Sequence, residues 1–161
     1  MFMDFLAWVD ETSMAEAIRS STWMFPTMEI IHVAAIAVVV GSIARLDLRL
    51  AGLVSRYRPI SEISQEMLPW TWVSFVIATV FGVLLFAGQP LRYLEIAFFD
   101  VKMILILLAG LNMLAFQYLT YKSVGRWDHE PIPPTPVRIA GSLSLAFWVS
   151  VVLCGRLIGF V

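Results

Sequence analysis

Four long apolar runs, at about residues 24–44, 69–88, 97–119 and 139–160, alternate with three polar connections along the chain. Each run reaches the roughly 20 residues that a helix needs to cross a hydrocarbon core. The connections differ in character. The first is R-L-D-L-R-L-A-G-L-V-S-R-Y-R-P-I-S-E-I-S-Q-E, the second a short G-Q-P-L-R-Y-L-E-I, and the third Y-K-S-V-G-R-W-D-H-E-P-I-P-P-T-P-V-R. This pattern predicts an all-α protein, an integral membrane four-helix bundle spanning residues 23–161 and preceded by an interfacial N-terminal segment, residues 1–22.

The N-terminal segment reads as helical and amphipathic. Phe2, Phe5, Leu6 and Val9 fall on one helical face with Trp8 beside them, which suits a membrane surface. Ser13-Met-Ala-Glu16 has the form of a capping box and predicts a short helix starting at Ser13. Pro26 suits the first turn of the first span, where its missing N–H goes unused. Asp4 and the lack of a basic region ahead of an apolar stretch argue against a cleaved signal peptide. The P-I-P-P-T-P stretch of the third connection predicts extended, stiff chain.

Composition sharpens the membrane reading. Hydrophobic residues make up 60% of the 161 and charged residues 14%, against roughly 45–50% and about 25% in soluble domains. Lipid is therefore the expected surrounding partner. The net charge of −1 gives no basis for nucleic-acid binding, and neither a Gly-rich phosphate loop nor a CxxC pair is present. Cys154 is the single cysteine and has no internal disulfide partner.

Basic residues set the expected orientation. The first connection holds Arg45, Arg49, Arg56 and Arg58, and the third holds Lys122, Arg126 and Arg138, whereas the second holds only Arg92 and the N-terminal segment only Arg19. The positive-inside rule then puts the first and third connections in the cytoplasm and both termini outside, as expected for a multi-pass protein of a bacterial cytoplasmic membrane. Trp70, Trp72 and Trp127 fit interface anchors on the cytoplasmic side. Gly155 and Gly159 form a G-x-x-x-G for close helix approach, a role open also to Gly82 and Gly110, whether within the chain or in a homo-oligomer or larger membrane complex. Asn112, Ser144 and Gln117 are expected to hydrogen-bond between helices.

The candidate chemistry lies in the outer part of the spans. Glu29 and His32 are three apart in M-E-I-I-H and share a helical face. By depth they fall one to two turns from the outer end, level with Lys102 on the third span and Arg156 on the fourth. Ionisable side chains at such depth face the interior or a wet cavity. The plainer reading is that Glu29 pairs with Lys102 or Arg156 to fix helix register and that the two cations reach for the interface. His32 is too short for that. His129, in the third connection, reads as a solvated loop residue. E-I-I-H lacks the second Glu-x-x-His motif and the further carboxylates of a di-iron bundle. Met24, Met28 and His32 recur every fourth residue and form a soft-ligand stripe suited to Cu(I), although methionines at that spacing also serve packing.

Several of these residues carry a resemblance. His32 with its apolar run to Gly41 and the following A-R-L-D-L-R-L-A-G, the F-G-V-L-L-F-A of the second span, and F-F-D-V-K-M-I-L-I-L-L-A-G-L-N of the third resemble a group of small bacterial integral membrane proteins. That group is similar to a wider set containing the copper-resistance protein CopD and the HemJ-type protoporphyrinogen oxidase. The resemblance implies a haem b held by His32 as axial ligand, dependence on Lys102, and propionate contacts from Arg156, Lys102 and Arg92. Glu29 would steady the imidazole or a neighbouring cation. It implies electron transfer or porphyrin handling, with a redox partner or quinone. The group's second histidine on the third helix is replaced here by Gln117 in N-M-L-A-F-Q-Y, which leaves Lys102, Met103, water or nothing as sixth ligand. Two matched residues do not assign a substrate, so whether the chain is an enzyme stays open. The alternatives are a haem-free, CopD-like copper-handling protein and a structural or anchoring subunit.

Overall fold

A computed structural model describes residues 1–160, apart from the side chain of Phe2; that residue's place on the N-terminal amphipathic face and residue 161 lie outside the described part. The helices are α1 (Phe2–Asp10), α2 (Ser13–Ser20), α3 (Met24–Leu50), α4 (Ile60–Gly88), the short α5 (Pro90–Leu94), α6 (Ala97–Ala115) and α7 (Thr135–Ile158). After α6 the chain continues through a π-helical turn, Phe116–Thr120, and a 3-10 turn, Tyr121–Arg126. No strand occurs among the described residues. Helices α3, α4, α7 and the continuous stretch Ala97–Arg126 are long and apolar enough to cross a membrane, so the chain is a multi-pass, all-α membrane protein.

Its packing pairs α3 with α4 along their length, α6 with α7, and α3 with α7. Small side chains permit the first of these contacts. Ala35, Val39 and Ser42 of α3 are buried, as are Ser74 and Ala78 of α4, and the Ser42 and Thr71 hydroxyls are hydrogen-bonded at 2.7 Å. Asn112 donates from α6 to the Ala140 carbonyl of α7 at 3.0 Å, while Gln117 is exposed. Where α7 meets α3, a methyl group on Gly141 would stand 2.7 Å from Leu50 Cβ and 2.9 Å from the Asp47 carbonyl. The close-approach glycine of α7 is thus Gly141. Gly159 terminates α7, and Gly110 has open space beside it. Lipid contact follows from the exposed apolar side chains along the spans. On α6 only Ala109 is buried, whereas Ile104, Leu107 and Leu111 are open.

The N-terminal segment forms two helices. The cap of α2 is Thr12, whose hydroxyl accepts from the Ala15 amide and donates to the Val9 carbonyl, so it closes α1 and opens α2 at once. Ser13 is already helical, so the cap lies one residue before the expected Ser13, and with Ala15 at N3 it is a simple N-cap and not a capping box. Arg19 Nη1 pairs with Asp10 at 2.7 Å and donates to the Gly88 carbonyl at 2.8 Å. Ile18 is fully buried against Gly88, where a methyl group would meet it at 2.9 Å. These contacts hold α1 and α2 on the end of α4.

At the opposite end the first and third connections fold together. Leu50, Ile60, Trp127 and Val137 form a buried cluster, with Leu46, Phe116 and Val124 against it. Trp127, expected as an interface anchor, is 4% exposed because its indole fills this cluster and donates to Ser123 Oγ. Trp70 and Trp72 are exposed, as anchors are. Arg49 is fully buried; it donates from Nε to the Arg58 carbonyl and from Nη2 to the Glu130 carbonyl, both at 2.9 Å. It joins the two connections directly. Asp128 of the third connection accepts from the Ser61 amide at 2.8 Å and from its hydroxyl, and so caps α4 from outside that helix.

Candidate functional site

His32 stands on α3 facing α4, half-buried. Its Nδ1 lies 2.7 Å from the carbonyl oxygen of Ala78. A carbonyl only accepts, so Nδ1 carries the proton and donates, which leaves the lone pair of a neutral imidazole on Nε2. Nε2 has no hydrogen-bond partner among the described residues. The ring lies over Gly82, one helical turn from Ala78, where a methyl group would stand 2.9 Å from Cε1. The lack of a side chain at position 82 thus lets the imidazole lie against the α4 backbone.

Lys102, one turn into α6, is half-buried and faces α7. A methyl group on Gly155 would come within 3.7 Å of its Nζ, and Cys154 also lies near it. Lys102 and Glu29 are both close enough for their charges to act on His32. Helices α3, α6 and α7 therefore bring His32 and Lys102 into one neighbourhood. Glu29 is exposed and makes no hydrogen bond to the imidazole among the described residues; the Ala78 carbonyl orients the ring instead.

The remaining candidates stand apart. Arg156 is exposed and its guanidinium lies over the Phe160 ring, 4.7 Å from the centroid. Arg92 is exposed and donates to Gln89 within the second connection. Met103 is exposed on α6. Met24 and Met28 line a recess of about 280 Å³ with Trp23, Thr27 and Phe81, and His32 does not border it. No group of three or more His, Cys, Asp or Glu side chains suited to a metal ion occurs among the described residues.

Two features were not anticipated from sequence. Phe86 of α4, Tyr93 of α5 and Phe99 of α6 form an aromatic cluster, with Phe86 and Phe99 stacked at 5.4 Å. It bridges α4 and α6, which are not among the closely packed helix pairs. Burial holds the Tyr93 phenol above its ordinary pKa of 10.0, against the pull of Arg92, so it stays neutral at physiological pH. An aromatic spaced six or seven residues from the next gives no periodic signal of this contact. The second feature is Asp47, 4% exposed on α3, which faces Ser144 of α7 and leaves Oδ2 without a hydrogen-bond partner. Its place within a basic connection concealed that it lies on the spanning helix.

The donor chemistry of His32 suits a metal-ligating imidazole. Metal-bound histidines characteristically donate their second ring nitrogen to a carbonyl or carboxylate, which fixes tautomer and orientation. That is the arrangement of His32 with Ala78.

Fold and site together define a multi-pass helical membrane protein with one backbone-anchored imidazole beside a half-buried lysine. The chain belongs to DUF6644, a family of unknown function whose pattern matches residues 5–161. No curated protein and no solved structure matches the chain.

Proposed function

We propose that this protein binds one haem b through His32 and serves electron transfer or porphyrin handling in a bacterial cytoplasmic membrane. The observation that carries the reading is the 2.7 Å hydrogen bond from His32 Nδ1 to the Ala78 carbonyl, which leaves Nε2 without a partner among the described residues. Support comes also from Lys102, whose charge acts on His32, and from the resemblance of the motifs around both residues to HemJ-type and CopD-like proteins.

In this reading His32 would hold the iron, the Ala78 carbonyl keeps the imidazole neutral and oriented, and Lys102 would supply a positive charge beside the group. The haem, when bound, provides one-electron chemistry. His32 is the one histidine within a span, so this chain would offer such a group a single imidazole. Copper handling has less support, because the methionine recess lacks His32 and offers two thioethers alone.

The test is the haem and copper content of one purified sample from cells well supplied with both. One haem per chain, measured as the pyridine haemochrome, with no stoichiometric copper is the expected result. Stoichiometric copper without haem would transfer the assignment to copper handling, and neither would point to a structural subunit.

A further inference from the structure

A recess of about 360 Å³ opens between the end of α6 and the start of α7, far along both helices from Lys102. Its walls include Asn112, Ala115, Phe116 and Leu119 on one side and Ile139 and Leu143 on the other. There α6 passes into the π-helical turn Phe116–Thr120, which is wound more loosely than an α-helix. Its polar Asn112 amide is engaged with the Ala140 carbonyl. The wall is accordingly apolar, lies within segments that cross the membrane, and is open to its surroundings along the side of the bundle.

Basic residues without carboxylate partners adjoin the walls of this recess along the chain. Beside α3 and α4, Arg45 pairs with Glu66 and Arg58 with Glu62 and Glu66, while Arg56 donates to the Gly52 carbonyl and forms no ion pair among the described residues. Beside α6 and α7, Lys122, Arg126 and Arg138 form no ion pair among the described residues. Lys122 follows the wall residue Thr120 by two positions and Arg138 precedes the wall residue Ile139. Thr135, the first residue of α7, also lines the recess, so the positive end of that helix dipole adds to the field.

We infer that this recess binds an anionic phospholipid, with an acyl chain between α6 and α7 and the phosphate-bearing headgroup at Lys122 and Arg138. Apolar surface at membrane depth selects a hydrocarbon chain, and unmatched cations at the interface select an anionic headgroup. The site is independent of His32 and of any haem.

Native mass spectrometry of the detergent-purified full chain, mixed with equal amounts of phosphatidylglycerol and phosphatidylcholine of the same acyl composition, tests this. One phosphatidylglycerol is expected to be retained in preference to phosphatidylcholine by roughly 25-fold, a factor of about five for each of two cations. The double variant Lys122→Gln/Arg138→Gln should abolish that preference; both side chains are exposed, so folding is not at issue. Ala115→Trp, which fills the recess, should release both lipids. Equal retention of the two lipids by the wild type, or a preference that survives the double variant, overturns the inference. So does undiminished retention by an Ala115→Trp protein of unchanged helicity and elution.

Discussion

A single backbone carbonyl does for His32 what sequence reasoning assigned to Glu29. The imidazole has 2.7 Å to Ala78 and glycine beneath it, and both partners belong to another helix, 46 and 50 positions away. Gly82→Ala should therefore displace the ring, since the added methyl would stand 2.9 Å from Cε1. The expected outcome is a loss of haem content together with a destabilisation of about 1–3 kcal/mol, typical of overpacking, read by thermal unfolding in detergent. Full haem content with unchanged stability would show that the ring does not depend on that contact. Lys102→Met tests the neighbouring charge. Removing a cation that acts on the site should lower the reduction potential, because the ferric state carries the larger positive charge; an unchanged potential would leave Lys102 a packing residue. The depth of His32 and Lys102 was legible from their distance to the ends of the apolar runs. The identity of Ala78 and Gly82 as partners was not, because small residues recur along α4 and periodicity does not tell which one faces an imidazole.

At the scale of elements, hydrophobicity marked the existence of the spans and misjudged their ends. The first run stops near residue 44, yet α3 continues to Leu50 through Arg45, Asp47 and Arg49. Asp47 and Arg49 are buried where the folded connections meet α3 and supply carbonyl acceptors to Arg49, while Arg45 stays exposed and pairs with Glu66 of α4. Arg49→Met should remove two hydrogen bonds from a charged donor, each contributing roughly 1.5–3 kcal/mol, and cost about 3 kcal/mol net in detergent unfolding. A variant as stable as the wild type would show that the two connections hold together without the guanidinium. Asp128→Asn should cost about 1 kcal/mol, as loss of a helix cap does. Burial opposes ionisation of Asp128, but the Ser61 hydroxyl and amide outweigh it and hold its pKa below the ordinary 3.8. A depressed carboxylate pKa gives stability that is complete above the ordinary value and lost as pH falls through the lowered one. The difference between wild type and Asp128→Asn should accordingly persist at neutral pH and shrink below about pH 4; a difference constant down to pH 2 would contradict the ionised cap.

For the whole molecule, the four spans and the all-helical bundle were legible because each run exceeds the length a bilayer requires. The pairing order of the helices was not, since every apolar face can meet another in lipid as readily as in protein. The two ends of the bundle are built differently. One carries α1 and α2 and the His32–Lys102 neighbourhood, the other the Arg49-centred connections and the unmatched cations of α6 and α7. The distribution of basic residues predicts that the latter end is cytoplasmic. In a Cys154→Ala background, Tyr57→Cys, at a position 91% exposed, should react with an impermeant maleimide only after the membrane is opened; labelling in intact cells would reverse the topology. The assignment of haem to His32 rests most directly on one optical measurement. Purified wild-type protein from haem-replete cells should show a Soret band that shifts when the reduced protein meets carbon monoxide, and His32→Ala, inserted in the membrane to the same extent, should lack the band. A wild-type preparation without Soret absorption, or a His32→Ala protein that keeps it, would contradict the assignment.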